Sequence, residues 1–493
     1  MMLRRFLSAL GFVWLPWVAL ALFGAWMAGA GEPFKAWPSY MDYHELQAEG
    51  FLQGHLHLSW EPAPELLKQE NPRDPAHRAL WLWDASLHDG HYYLYWGPVP
   101  ALLMAAVKWA FHIPWLGDPF AVYVFWLLAL AASGALLWRL RAEHFPQVPR
   151  GWVTVLLLAV GFIGPVLHLV TTAAVYQAAI IGAQAFLVLG VALAARQAGN
   201  AAPPAGGTWR LWAAGLAFGL ALACRITVAP AIAVIGLLTA WAVGRGDVRA
   251  AARALVAVAA PVAACLVAML AYNQARFGKP LEFGITLQMS TIKFQPSFAY
   301  LPANLHGYAL RNLAVDWCTF PYLLQRWDPP DSLPSWIHPP ADYLVGEPLV
   351  GFLRSIPLSW LAVPAMLFVA RSARRQDPPD KRRALWWWLG VGAALATATF
   401  AVPLMMFSAT MRYLGDVAYG LCLMGALGAF ALLASGRKRQ GGAVVALVVL
   451  AQLVVGFAIG FQGYNNHFKL KRPELYAKLN RPLPWCATPP PAK

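Results

Sequence analysis

Long apolar runs separated by short polar connectors set the rhythm of this chain. About eleven of them, at roughly 8–30, 119–139, 152–170, 174–195, 210–224, 228–244, 254–272, 350–370, 385–407, 416–434 and 442–461, approach the ~20 residues that cross a hydrocarbon core as a helix. The pattern predicts an all-α polytopic membrane protein. Its first run follows Arg4 and Arg5 as a secretory leader would, but exceeds the ~7–15-residue apolar stretch of such a leader, so it reads as a retained helix. One further run, Pro98–His112, is short and carries Lys108. It reads as a helix lying along the interface, with Trp109, Phe111 and Trp115 at headgroup depth.

Polar sequence is concentrated in three intervals: loop one (31–118), loop two (273–349) and a tail (462–493), the last following a transmembrane module over 1–461. In loop one, YHELQAEGFL (Tyr43–Leu52) has a helical period that Gly50 or Gly54 ends. His88–Gly90 reads as a turn into the aromatic strip Tyr92, Tyr93, Tyr95, Trp96, and Gly97-Pro98 then breaks the chain.

Charge sorts these segments. Of 493 residues 59% are hydrophobic and 12% charged, and mean hydropathy is +0.50. Half of the 38 Lys and Arg fall in six short segments: Arg4–Arg5, Arg139–Arg150, Arg196–Arg210, Arg245–Arg253, Arg371–Arg383 and Arg437–Arg439. Those segments hold only Glu143, Asp247, Asp377 and Asp380 among 23 acids. Basic short loops face the cytoplasm, which predicts a cytoplasmic N-terminus, a C-terminus outside, and all three polar intervals on the outer face. The +15 net charge is then a topology signal and an attraction to anionic lipid. It points to no nucleic-acid partner. Without a phosphate-binding glycine loop, ATP-driven transport is also improbable.

Candidate chemistry therefore lies outside. Asp42, beside His44 and Glu45, reads either as a general base at the membrane surface or as the N-cap of the helix it precedes, with Glu45 completing a capping box. Glu45 and Glu49 share a face, for which solvation is the ordinary fate. His55 and His57, with His44, His77, His88 and His91 nearby, either bind a divalent metal or serve as surface hydrogen-bonding groups; no tight ligand signature decides. Arg225 interrupts apolar sequence (ALACRITVAP), where it either holds an anion or snorkels to the interface. Arg276 in YNQARFGKPLEFG and Arg412 in MRYLGDVAYG are further cations at outer boundaries. Cys318 and Cys486 both fall outside and are either a disulfide or two thiols.

In order and content these elements resemble the GT-C superfamily of polytopic glycosyltransferases. The likeness rests on the acid-bearing loop SYMDYHELQAEGFLQGHLHL, the strip DGHYYLYWGPVPALLM, the hairpin ACRITVAP, the YNQARFGKPLEFG opening of loop two, and the turn of Arg412, Tyr413 and Asp416. It implies a GT-C-like fold with interfacial helices in a large first outer loop. It also implies transfer of a sugar from a polyprenyl-phosphate donor to a glycan, lipid or protein acceptor on the periplasmic face of a bacterial inner membrane. Asp42 would be the base of an inverting reaction, with Glu45 as second carboxylate. Arg225, Arg276 or Arg412 would hold the departing phosphate, and His44, Tyr92 and Tyr93 would contact substrate. No organic cofactor is expected; metal participation is open, because relatives show adjacent acids where this chain has Asp42-Tyr43-His44-Glu45. The competing readings are a transporter or flippase for a lipid-linked saccharide and a non-enzymatic envelope scaffold.

Overall fold

The computed structural model describes residues 2–200, 208–291, 295–327, 333–464, 466–480 and 486. Its main helices are α1 (Met2–Ala28), α2 (Tyr43–Leu52), α3 (Val99–Phe111), α4 (Asp118–His144), α5 (Gly151–Gly161), α6 (Gly164–Thr171), α7 (Val175–Ala198), α8 (Trp209–Cys224), α9 (Ala229–Gly244), α10 (Val248–Phe277), α11 (Ala362–Arg374), α12 (Pro379–Thr397), α13 (Gly415–Leu433) and α14 (Lys438–Gln462). Each expected span has a helix at its position. Among the described residues six segments are long and apolar enough to cross a membrane: α4, α7, Ile226–Gly244, α10, Met411–Leu433 and α14. The pair α5 and α6, bent by 53°, makes a seventh if taken as one span. The others fall short of the criterion: α8 has 16 residues, about 24 Å at 1.5 Å each. The run expected at 385–407 leaves the helix after Thr397, and 350–361 is a short helical turn plus a 3-10 segment.

Gln452 of α14 explains how the bend between α5 and α6 is tolerated. Its amide nitrogen donates to the Phe162 carbonyl (2.9 Å) and its amide oxygen accepts from the Leu358 N–H (3.0 Å). Two breaks in helical hydrogen bonding are thus satisfied by one buried side chain, as an apolar surround demands.

The connectors expected on the inner side meet one another. Arg245 pairs with Asp380 at 2.8 Å, and both His144 Nε2 (2.8 Å) and Trp388 Nε1 (3.1 Å) lie against the Gly199 carbonyl. Loops one and two are stitched together elsewhere, where the Ser86 hydroxyl donates to the Gly284 carbonyl (2.8 Å) and the Gln288 amide to Asp84 (2.8 Å).

Loop one folds as expected at two places. Helix α2 spans Tyr43–Leu52, and Gly54 just beyond it has φ +86°, a conformation suited to glycine. Strands β1 (Ser86–His88) and β2 (His91–Tyr93) form a hairpin whose two turn residues, Asp89 and Gly90, both have positive φ, the tight turn that an Asp-Gly pair favours. The capping-box expectation is corrected. The Asp42 side chain makes no bond to α2; it accepts from the Asp118 N–H at the start of α4 (2.8 Å) and from the Ser39 hydroxyl. Asp118 in turn accepts from the Glu45 N–H (3.1 Å), so each helix start is satisfied by the other's acid. Glu45 is also not solvated. It is wholly buried, pairs with Lys108 of α3, and accepts from the Gly117 N–H (3.2 Å); Lys108 also pairs with Glu49. Helix α3, of 13 residues, exposes Trp109 and Phe111 while turning Lys108 inward.

Cys318 and Cys486 form a disulfide that ties loop two to the tail. Cys224, Cys265 and Cys422 are free, the first and last of them buried.

Candidate functional site

A cavity of about 710 Å³ opens where both outer loops meet the ends of α8, α10 and α13, within the range of small-molecule sites. Among the described residues three charged ones line it: Asp84, Arg225 and Arg412. Aromatic and apolar side chains supply most of the remaining wall, including Trp83, Tyr95, Trp96, Tyr413 and Phe407.

Arg225 sits where α8 ends, on an extended residue (φ −156°) ahead of a 3-10 turn. It is buried and donates through one terminal nitrogen to both Asp416 carboxylate oxygens (2.9 and 2.7 Å). Snorkelling is thereby corrected: the charge is held inside by a partner, which is how such a group is tolerated at membrane depth. Arg412 lies just before α13, bonded to Glu347 at 2.5 Å, with its guanidinium 4.3 Å from the centre of the Tyr176 ring. Glu347 reaches it because β3 (Leu344–Val345) pairs in parallel with β4 (Ser408–Ala409).

Asp84 is the unforeseen residue. It stands two positions before β1 in the left-handed region (φ +64°) and is buried. Its N–H donates to the Met289 carbonyl (3.0 Å), and Gln288 donates its side-chain amide to the carboxylate (2.8 Å). A non-glycine residue held in that conformation signals a position fixed by its surroundings. Asp84 has no ion-pair partner among the described residues. Burial pushes its carboxyl up to about 6, with Arg412 pulling the other way. Burial likewise pushes the Tyr95 phenol well above its ordinary range.

Several buried polar atoms on cavity-lining residues have no hydrogen-bond partner among the described residues: Nε of Arg225 and of Arg412, Nε1 of Trp96, and the Thr410 hydroxyl. Each orphan costs roughly 1–3 kcal/mol.

The expected site residues divide accordingly. Arg225 and Arg412 come together at the cavity, as do Tyr95 and Trp96 of the aromatic strip. Asp42, Glu45, His44, Arg276, Tyr92 and Tyr93 do not line it. Arg276 is buried under loop one, donating to the Leu94 carbonyl (2.5 Å) and Asn273 (2.6 Å) with Tyr272 stacked below. His44 is fully buried, and desolvation pushes it down to about 4. Tyr92 receives the Leu82 N–H on its hydroxyl (3.1 Å), while Tyr93 packs on Phe277. Sequence reasoning missed Asp84 and Glu347. The one available signal was a lone acid directly after two tryptophans (WLWDAS) and just before a hairpin.

Gly97 joins loop one to the Arg225 hairpin. A Cβ at that position would lie 1.8 Å from the Ala223 carbonyl oxygen, so only glycine allows this approach. Gly97→Ala is expected to lose roughly 1–3 kcal/mol of stability to overpacking and to push Tyr95 and Trp96 off the Arg225 wall. Thermal unfolding in detergent, with tryptophan fluorescence as readout, checks both effects.

No family model matches the chain, and no curated protein matches it. Among solved structures it is similar to the apo oligosaccharyltransferase of Archaeoglobus fulgidus, at 12% identity over 90% of this chain and 55% of that one, with a TM-score of 0.45. It is also similar to ArnT from Cupriavidus metallidurans bound to undecaprenyl phosphate, at 11% identity over 95% of this chain and 80% of that one, with a TM-score of 0.44. The chain thus spans little more than half the length of the archaeal protein.

Proposed function

We propose that this chain is a membrane glycosyltransferase that takes a sugar from a polyprenyl-phosphate donor and passes it to an envelope acceptor on the periplasmic face of a bacterial inner membrane. The observation that carries the reading is the meeting, in one cavity, of a buried carboxylate without an ion-pair partner among the described residues and two arginines. A donor phosphate would be drawn to the positive charge of Arg225 and Arg412 on the cavity wall, which would stabilise it as it departs. The counter-carboxylates Asp416 and Glu347 hold each guanidinium in place. Tyr95, Trp96 and Trp83 offer flat faces for a sugar ring, and the apolar wall suits the first isoprene units.

The base expected at Asp42 passes in this reading to Asp84. Asp42 is engaged in joining α2 to α4, whereas Asp84 sits in the cavity at a proton affinity suited to taking a proton from an acceptor hydroxyl near neutral pH. Attack opposite the phosphate inverts the anomeric centre. Transfer should therefore rise with pH through a midpoint near 6, because the base works only once deprotonated, and level off above it. A pH–rate profile on reconstituted vesicles checks this, and Asp84→Asn should remove the acidic limb. No step requires a metal in the cavity.

The bent pair α5–α6 is one feature that the transporter reading also expects. That reading predicts saccharide translocation that survives Asp84→Asn, with no transfer to an acceptor.

A further inference from the structure

We propose a second site at the outer tip of loop one: a divalent transition-metal site, of the class that zinc fills, formed by His57, His91 and Glu61. One potential ligand atom from each of the three lies within 4.8 Å of the others. Two imidazoles and a carboxylate are a donor set that zinc takes, with water completing a tetrahedron.

The local bonding prepares the ligands. His57 Nδ1 lies 3.0 Å from the Leu58 carbonyl. A carbonyl can only accept, so Nδ1 carries the proton and Nε2 keeps its lone pair for an ion; such a backbone bond is how ligating imidazoles are oriented. Nδ1 of His91 is shielded from solvent and has no hydrogen-bond partner among the described residues; its nearest carboxylate oxygen, on Glu61, is 3.8 Å away. The His57 and His91 rings stack with centroids 4.2 Å apart, and His55 stacks on His57 from the other side at 3.6 Å. Closing the set on one ion requires donor atoms about 3.4 Å apart, given ~2.0–2.1 Å bonds in a tetrahedron. Closing the set therefore calls for rotation of the exposed Glu61 side chain and of the half-buried His91 ring.

The site's place in the fold gives it a structural purpose. His57 and Glu61 follow α2, while His91 begins β2, so an ion would pin the hairpin to the segment beside it. One backbone bond, Leu58 N–H to the Tyr92 carbonyl (2.8 Å), already spans the same gap. The other end of the hairpin leads to Asp84. None of the three ligands lines the cavity, so the ion would stiffen the loop and take no part in chemistry there. The inference is independent of the transferase reading.

The test uses the full chain without a histidine tag, in detergent micelles. Titration with Co²⁺ should give saturable visible absorption at one ion per chain, displaced by Zn²⁺ and not by Mg²⁺. His57→Ala, His91→Ala and Glu61→Gln should each weaken binding by about 10- to 100-fold or more, since even an outer-shell change costs that much. His77→Ala should leave it unchanged. A chelator should lower the unfolding temperature of the unmodified chain and leave His57→Ala/His91→Ala unmoved. Glu61 is exposed, so Glu61→Gln keeps the test valid if a histidine variant fails to fold. The proposal is overturned by absence of saturable binding, by equal binding in the unmodified chain and the Glu61→Gln variant, or by equal chelator response in the unmodified and doubly substituted chains.

Discussion

Asp84→Asn should lower sugar transfer by about 10²- to 10⁴-fold, the range that a general base contributes, while the protein remains folded. Asparagine suits the test for two reasons. Of the non-glycine residues it is among those that best tolerate the left-handed backbone, and Asp84 holds φ +64°. Its side-chain oxygen can still accept from Gln288, which now bonds the carboxylate at 2.8 Å. What is removed is the ability to take a proton. Because a buried carboxylate without a cationic partner is itself unfavourable, the unfolding temperature should stay level or rise. Single-turnover transfer and thermal unfolding on one preparation separate loss of chemistry from loss of structure.

The second large effect is on stability. Lys108→Met should destabilise the protein by about 3–5 kcal/mol, because removing one member of a buried ion pair leaves uncompensated charge behind. The Glu45 side chain is fully buried and that of Glu49 is 27% exposed; without Lys108 these two acids have no ion-pair partner among the described residues. The Gly117 N–H offsets part of the loss at Glu45. Methionine keeps the length and volume of the lysine stem, so packing against α2 changes little and the effect is electrostatic. Lys108→Met/Glu45→Gln should recover most of the loss. Thermal or denaturant unfolding of the two variants checks this; equal stability of Lys108→Met and the unmodified chain would mean that the clasp between α2 and α3 carries no weight.

Residues of both kinds, legible and hidden, surround the site. The helices, including the short α3, and the turn at His88–Gly90 follow from local pattern, because period and turn chemistry are properties of neighbouring residues. Arg225 and Arg412 were legible for a different reason: a cation in apolar sequence is costly enough to require a purpose. Their partners were not. Asp416 is 191 positions from Arg225 and Glu347 is 65 from Arg412, and no local rule pairs residues at such separations. Asp42 shows the reverse problem. Its neighbourhood reads as a capping box, yet its carboxylate caps a different helix 76 residues on, because the fold brings two helix starts together. Asp84 lacks any local periodicity to announce it. Its importance comes from loop two folding over β1, through Gln288 and Met289, to bury it. Lys108 looked like a charge tolerated at an interface, and only the packing of α3 on α2 turns it inward.

The central claim is that the cavity shared by Asp84, Arg225 and Arg412 is where a lipid-phosphate sugar reacts. Its most direct test is transfer from labelled polyprenyl-phosphate sugars in reconstituted vesicles, run side by side for the unmodified chain, Asp84→Asn and Asp42→Asn. Transfer by the unmodified chain, near-complete loss in Asp84→Asn and substantial activity in folded Asp42→Asn is the predicted result. Undiminished transfer by Asp84→Asn, or loss confined to Asp42→Asn, would contradict it.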